Sequence, residues 1–70
     1  MEYLEVNITK RQLDVFKLIK DGMSNKQIGK QLNISDLTVA IHVAALLKKF
    51  EFKNRTQLMR LYLDNSNLFV

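Results

Sequence analysis

Ser24 and Ser35 each open a helical segment, and only Asn33 and Ile34 are left to join the two segments. That spacing constrains the fold more than any other feature of the chain. Gly22-Met23-Ser24-Asn25-Lys26-Gln27-Ile28 begins one short helix; Leu32-Asn33-Ile34-Ser35 ends it and starts the next, which carries Thr38-Val39 and His42. A corner this short fixes the angle between the helices and sets the second steeply across the first.

The same punctuation divides the rest of the chain. Thr9 with Gln12 reads as a capping box, in which each side chain reaches the other's backbone N–H. Leu13, Phe16, Leu18 and Ile19 follow at helical spacing, so helix one is expected from about Lys10 to Asp21. Gly22 suits a left-handed position past its end. Ser24 with Gln27 repeats the box for helix two, which ends near Leu32 and buries Ile28 and Leu32. Gly29 inside this helix costs about 1 kcal/mol against alanine, which predicts a close approach of another backbone where helices two and three touch. Ser35 caps helix three, which can run to about Phe50 because Asp36 to Lys49 holds no Gly and no Pro. Asn54 with Gln57 opens helix four, about Arg55 to Asp64, and Asp64-Asn65-Ser66-Asn67 is a polar stop. The expected architecture is all-α with four helices over residues 8–64. Residues 1–7 form an N-terminal extension, and residues 65–70 a tail whose Leu68-Phe69-Val70 could fold back on the core.

Seventy residues make one small domain with no room for a cleft enzyme. At 47% hydrophobic the composition is not that of a disordered chain. The longest apolar run, Val43 to Leu47, falls far short of the ~20 residues that span a bilayer, so no membrane role is expected. Cysteine is absent, which excludes disulfides and thiolate metal sites. The N-terminal Met-Glu-Tyr-Leu-Glu lacks the basic start and apolar core of a signal peptide, and the expected location is the cytoplasm. Net charge is +4; leaving out Glu2 and Glu5, the eleven Lys and Arg face five acids, which gives +6 from Asn7 onward. That balance fits attraction to nucleic acid or anionic lipid.

These residues resemble the LuxR/FixJ-type (GerE-like) helix-turn-helix DNA-binding domain of bacterial transcription regulators. The pattern runs from about Ile8 to Asp64. It comprises Ile8-Thr9-Lys10-Arg11, Gly22-Met23-Ser24-Asn25-Lys26-Gln27-Ile28, Leu32-x-Ile34-Ser35-x-x-Thr38-Val39-x-x-His42, Lys49-Phe50 and Asn54-Arg55-Thr56-Gln57. The resemblance implies that helix three is the recognition helix in the major groove, that Thr38 and Lys49 touch phosphates, and that helix four often forms a two-fold dimer contact. Two departures concern the scaffold: Gln12 stands where the family usually has glutamate, and Gly29 where it usually has alanine. A third concerns readout, because Ala40, Ile41, Val43, Ala44 and Ala45 occupy positions where the family commonly carries hydrogen-bonding groups.

A helical wheel puts Val39, His42 or Val43, Leu46 and Phe50 on the buried stripe of helix three. Leu37, Ala40, Ile41, Ala44 and Lys48 then form the opposite stripe. Bases are told apart in the major groove mainly by donors and acceptors, so few bases should be read directly. Affinity should come from Lys26, Thr38, Lys48, Lys49 and Arg55 meeting phosphates, and any preference from thymine methyl contacts or DNA shape. Ser35 caps its helix and also marks a helix N-terminus suited to phosphate.

Other residues have plainer readings. His42, without a carboxylate or cysteine at ligand spacing, is expected to be structural, and no metal or cofactor is expected. Lys30 and Lys53 join the cations around the groove approach, whereas Lys10, Arg11, Lys17 and Lys20 serve solubility. On helix four, Leu58, Met59 and Tyr62 suffice for the core while Leu61 and Leu63 point elsewhere, and Leu61 is the preferred contact of a homodimer. A helix-turn-helix monomer covers one half-site, and dimers align two about 34 Å apart. The main expectation is a duplex-DNA-binding transcription regulator, stand-alone or the output domain of a longer protein. The alternative is a protein-interaction module, such as an antagonist of a related regulator, that uses the apolar stripe. No catalytic residues are proposed, since no nucleophile, base and orienting group converge.

Overall fold

The computed structural model describes residues 7–65 and contains four helices: α1 (Lys10–Lys20), α2 (Asn25–Leu32), α3 (Asp36–Phe50) and α4 (Arg55–Asp64). The expected all-α architecture is observed, and no strand occurs among the described residues. The apolar residues before Asn7 and the terminal Leu68-Phe69-Val70 lie outside them.

Each helix starts where its cap dictates. Thr9 and Gln12, Ser24 and Gln27, and Asn54 and Gln57 form reciprocal capping boxes, and the Ser35 hydroxyl accepts from the Thr38 N–H at 3.1 Å. The helix ends are equally specified. Past α1, the Gly22 N–H reaches the Ile19 carbonyl and the Met23 N–H the Leu18 carbonyl, while Gly22 takes φ +78°. This is a Schellman closure with glycine at its left-handed position, and it stops α1 at Lys20 with Asp21 as cap. Asn33, a residue that tolerates the left-handed region, ends α2 at φ 58°.

The third closure carries strain that no turn residue in the sequence signals. Glu51 takes φ 57° past α3, while the Phe52 N–H bonds the Leu47 carbonyl at 2.9 Å. Phe52 stacks on Phe50, with ring centroids 5.6 Å apart, and holds the turn in place. A glutamate there bears a Cβ penalty that glycine avoids. Glu51→Gly should therefore stabilise the domain by about 0.5–1 kcal/mol, raising Tm by a few degrees. A melting curve that does not move, or moves down, would count against strain at this turn.

α1 packs chiefly on α4 and α3, and α2 on α3, around one core. Phe16 is its centre, 5.2 Å from the Tyr62 ring edge-on and 5.7 Å from Phe50. Val15, Ile19, Ile28, Val39, Val43, Leu46, Leu58 and Leu61 complete the buried cluster, with Leu13, Leu18, Leu32 and Met59 packed against it. Of the wheel's two alternatives on α3, Val43 is buried and His42 is half-buried.

The expected homodimer contact at Leu61 requires correction. Leu58, Leu61 and Tyr62 form the inward face of α4, and Leu61 is only 6% exposed. Its side chain belongs to the core and cannot present a surface to a second copy. The exposed leucine of α4 is Leu63, at 56%.

Gly29 is a second point of close contact. A Cβ built there would lie 2.6 Å from the Ile34 carbonyl oxygen, and Ser35 and Asp36 backbone atoms come next at 3.5 and 3.6 Å. The approaching backbone is the corner itself, pulled onto α2 by the Ile34 N–H bonding the Gly29 carbonyl at 2.9 Å.

Candidate nucleic-acid interface

The corner sets α3 so that one stripe faces the core and the other faces outward. Val39, Val43, Leu46 and Phe50 are buried. Leu37 and Ile41 are 71% and 60% exposed, Ala44 and Lys48 are exposed, and Ala40 is half-buried beside them. The predicted outward stripe is thus brought together, with Ala40 at its edge. Leu37 and Ile41 are two of only three large apolar side chains left exposed among the described residues.

At the N-terminus of α3 the Ser35 and Thr38 hydroxyls lie 2.9 Å apart. One hydrogen closes that bond, so the pair keeps a hydroxyl hydrogen for an incoming acceptor, next to the positive end of the helix dipole. Asp36 occupies the first turn, where the dipole favours a carboxylate. Residues 24–50 otherwise carry Lys26, Lys30, Lys48 and Lys49. Lys26, Lys30 and Lys48 are exposed and form no ion pair with an acid among the described residues. The cations of α1 are differently placed: Asp14 lies 3.7 Å from both Lys10 and Arg11, and Asp21 lies 2.9 Å from Lys20. The Asp21 hydrogen bond and charge hold the Lys20 ammonium above the usual lysine range.

Two cations expected at phosphates are built into the scaffold. The Lys49 ammonium donates to the Asn7 carbonyl at 2.6 Å and to Gln12 Oε1 at 2.7 Å, which ties the end of α3 to the start of α1. One of its three N–H groups remains. Arg55 donates from Nη1 to Asn25 Oδ1 at 2.6 Å and from Nη2 to the Met23 carbonyl at 3.0 Å, clamping α4 to the entry of α2. Both contacts join residues far apart in the chain, and no local pattern signals them. The one sequence signal is Gln12 in place of glutamate, a departure that bears on a polar contact of the scaffold.

That exchange has a measurable consequence. Gln12 is 9% exposed, and its Oε1 also accepts the Thr9 N–H at 3.2 Å. Glutamate would keep both bonds and turn the one from Lys49, already donated by a cation, into an ion pair. Allowing for solvent around the exposed ammonium, Gln12→Glu should stabilise by about 0.5–1 kcal/mol. The gain should vanish in a Lys49→Met background; if it survives there, it comes from the helix dipole and not from the clamp.

A short helix packed on a longer one, whose outward stripe is exposed and ends in Lys48, is the construction of a helix-turn-helix DNA-binding domain. Residues 6–62 match the family described as bacterial regulatory proteins, luxR family, and the chain belongs to that family. It is 43% identical over 57 residues to the nitrate/nitrite response regulator protein NarP of Escherichia coli K12, covering 81% of this chain and 26% of that protein. Similarity to NarL of the same strain is 42% over 50 residues, 71% of this chain and 23% of that protein. With the transcriptional regulatory protein LiaR of Bacillus subtilis it is 41% over 51 residues, 73% and 24%. The chain therefore spans about a quarter of the length of these relatives. Membership of a family of DNA-binding regulators favours DNA binding over an interaction module that has abandoned it.

Proposed function

We propose that this chain binds duplex DNA as the output domain of a bacterial transcription regulator in the cytoplasm, with α3 in the major groove and no catalytic role. The observation that carries the reading is the outward stripe of α3, exposed on a luxR-family scaffold and accompanied by lysines that have no acid partner among the described residues. Lys26 at the start of α2 and Lys48 on the stripe meet phosphates. The Ser35 and Thr38 hydroxyls take a further one, and Lys49 contributes its remaining N–H while holding α1 in place. Arg55 acts by orienting α2, with its guanidinium edge toward the backbone of the DNA.

A homodimer through α4 aligns two copies on two half-sites about 34 Å apart. Leu63, with Met59 one turn before it, replaces Leu61 as the apolar contact. A related regulator bearing the same helix would fit that surface too.

Fluorescence anisotropy of a labelled random-sequence duplex, titrated with the protein at low and near-physiological salt, tests the proposal. Binding should weaken steeply, with about −0.9 on the log-log slope for each phosphate neutralised. Lys48→Ala and Lys26→Ala should each reduce the slope by about one contact per copy bound. An unchanged slope removes that lysine from the interface, and a folded protein that binds nothing at low salt removes the proposal.

A further inference from the structure

With α3 in the groove, its outward stripe also determines which bases it prefers, a preference that rests on the DNA-binding reading of this helix. Leu37 and Ile41 stand one turn apart and mostly exposed, with Ala44 another turn on and Lys48 beyond it. At 1.5 Å per residue the stretch from Leu37 to Lys48 is about 16 Å long, enough to cross a major groove about 12 Å wide. Over its first two turns nothing on the stripe donates or accepts a hydrogen bond. Ala40 and Ala44 flank Ile41 with single methyl groups, so the helix can come close to the groove floor and Leu37 and Ile41 can reach base edges.

We infer that α3 recognises pyrimidine C5-methyl groups, so that the preferred ligand is duplex DNA rich in thymine or 5-methylcytosine at the positions facing Leu37 and Ile41. The thymine methyl is the only apolar group a natural base pair offers in the major groove, and 5-methylcytosine presents its methyl at the same ring position. A·T and G·C pairs each present three polar groups in the major groove, and Leu37 and Ile41 partner none of them, so polar desolvation does not tell the pairs apart. The stripe thus selects by apolar contact with the methyl. Lysines at its margins hold the duplex in charge complement without specifying bases.

The test compares four labelled duplexes of about 24 base pairs at one salt concentration, about two turns and so long enough for two half-sites. The first is a mixed A·T-rich sequence without A-tracts. In the second every thymine of the first is replaced by deoxyuridine, which keeps the hydrogen-bonding edge and removes the methyl. The third is G·C-rich, and the fourth carries 5-methylcytosine in place of its cytosines. Thymine DNA should bind roughly fourfold tighter than its deoxyuridine counterpart for each methyl contacted, and 5-methylcytosine should gain over cytosine by a similar factor. In a Leu37→Ala, Ile41→Ala double variant both preferences should shrink toward unity while the salt slope stays as it was. Steep salt dependence with equal binding within each pair overturns methyl recognition and leaves DNA binding intact. No binding by any duplex at low salt overturns both.

Discussion

Gly29→Val should remove about 3 kcal/mol of stability, a large part of what a domain of seventy residues possesses. The valine Cβ would begin 2.6 Å from the Ile34 carbonyl oxygen, with two methyl groups beyond it. The obstacle is backbone and cannot swing aside like a side chain. It is held by the Ile34 N–H to Gly29 carbonyl bond, by left-handed Asn33 and by the Ser35 cap, so relief means opening the corner. The corner's angle places α3, so damage there reaches function as well as stability. Alanine is a milder case: its one methyl still forces the carbonyl back, and the about 1 kcal/mol a better helix former returns offsets only part of that cost. Gly22 gives the contrast, since nothing lies within 4 Å of a Cβ there and only its φ of +78° resists substitution. Gly22→Val should cost less than Gly29→Val in urea and thermal unfolding. The reverse order would mean that the corner is not closely packed.

What can be read from the sequence is local. Caps and stops are written within four residues, and Thr9, Ser24, Ser35 and Asn54 begin their helices as their side chains require. The outward stripe of α3 follows from helical periodicity alone. Gly29 stands out because a glycine within a helix needs a reason, and the corner supplies it. What cannot be read depends on where distant elements meet. The place of Leu61 is not of that kind, since Leu58, Leu61 and Tyr62 recur at three and four residues and helical spacing alone puts them on one inward face, with Leu63 outside it. The Lys49 and Arg55 clamps do depend on distant elements. A phosphate-binding lysine and a scaffold lysine are identical in sequence, and their difference is which carbonyl lies within reach. Glu51 escapes a sequence reading because left-handed closure is signalled by glycine or asparagine, and here Phe52 stacking on Phe50 holds the turn without one.

Ile41→Asp should abolish most DNA binding and leave the domain folded, two effects that together place the centre of the interface. Ile41 is 60% exposed and outside the buried cluster, so its replacement removes little packing, and helix propensity changes by a few tenths of a kcal/mol. Circular dichroism and melting should change only slightly, in keeping with a surface substitution. In the groove the same carboxylate would lose water against base edges in a field dominated by phosphate, and like charges brought together this way cost several kcal/mol. Affinity should fall about a hundredfold or more at near-physiological salt, and further if two copies bind together. High salt should not restore it, because screening weakens the lysine contacts at least as much as the new repulsion. Aspartate at Leu63, equally exposed but on α4, separates this effect from a general change of charge: it should leave contact with a single half-site largely intact and act on the pairing of two copies. If Ile41→Asp and Leu63→Asp weaken a single half-site equally, the outward face of α3 is not where DNA is met. If only Ile41→Asp does, the apolar stripe lies against the bases, and its lack of hydrogen-bonding groups becomes the basis of its preference.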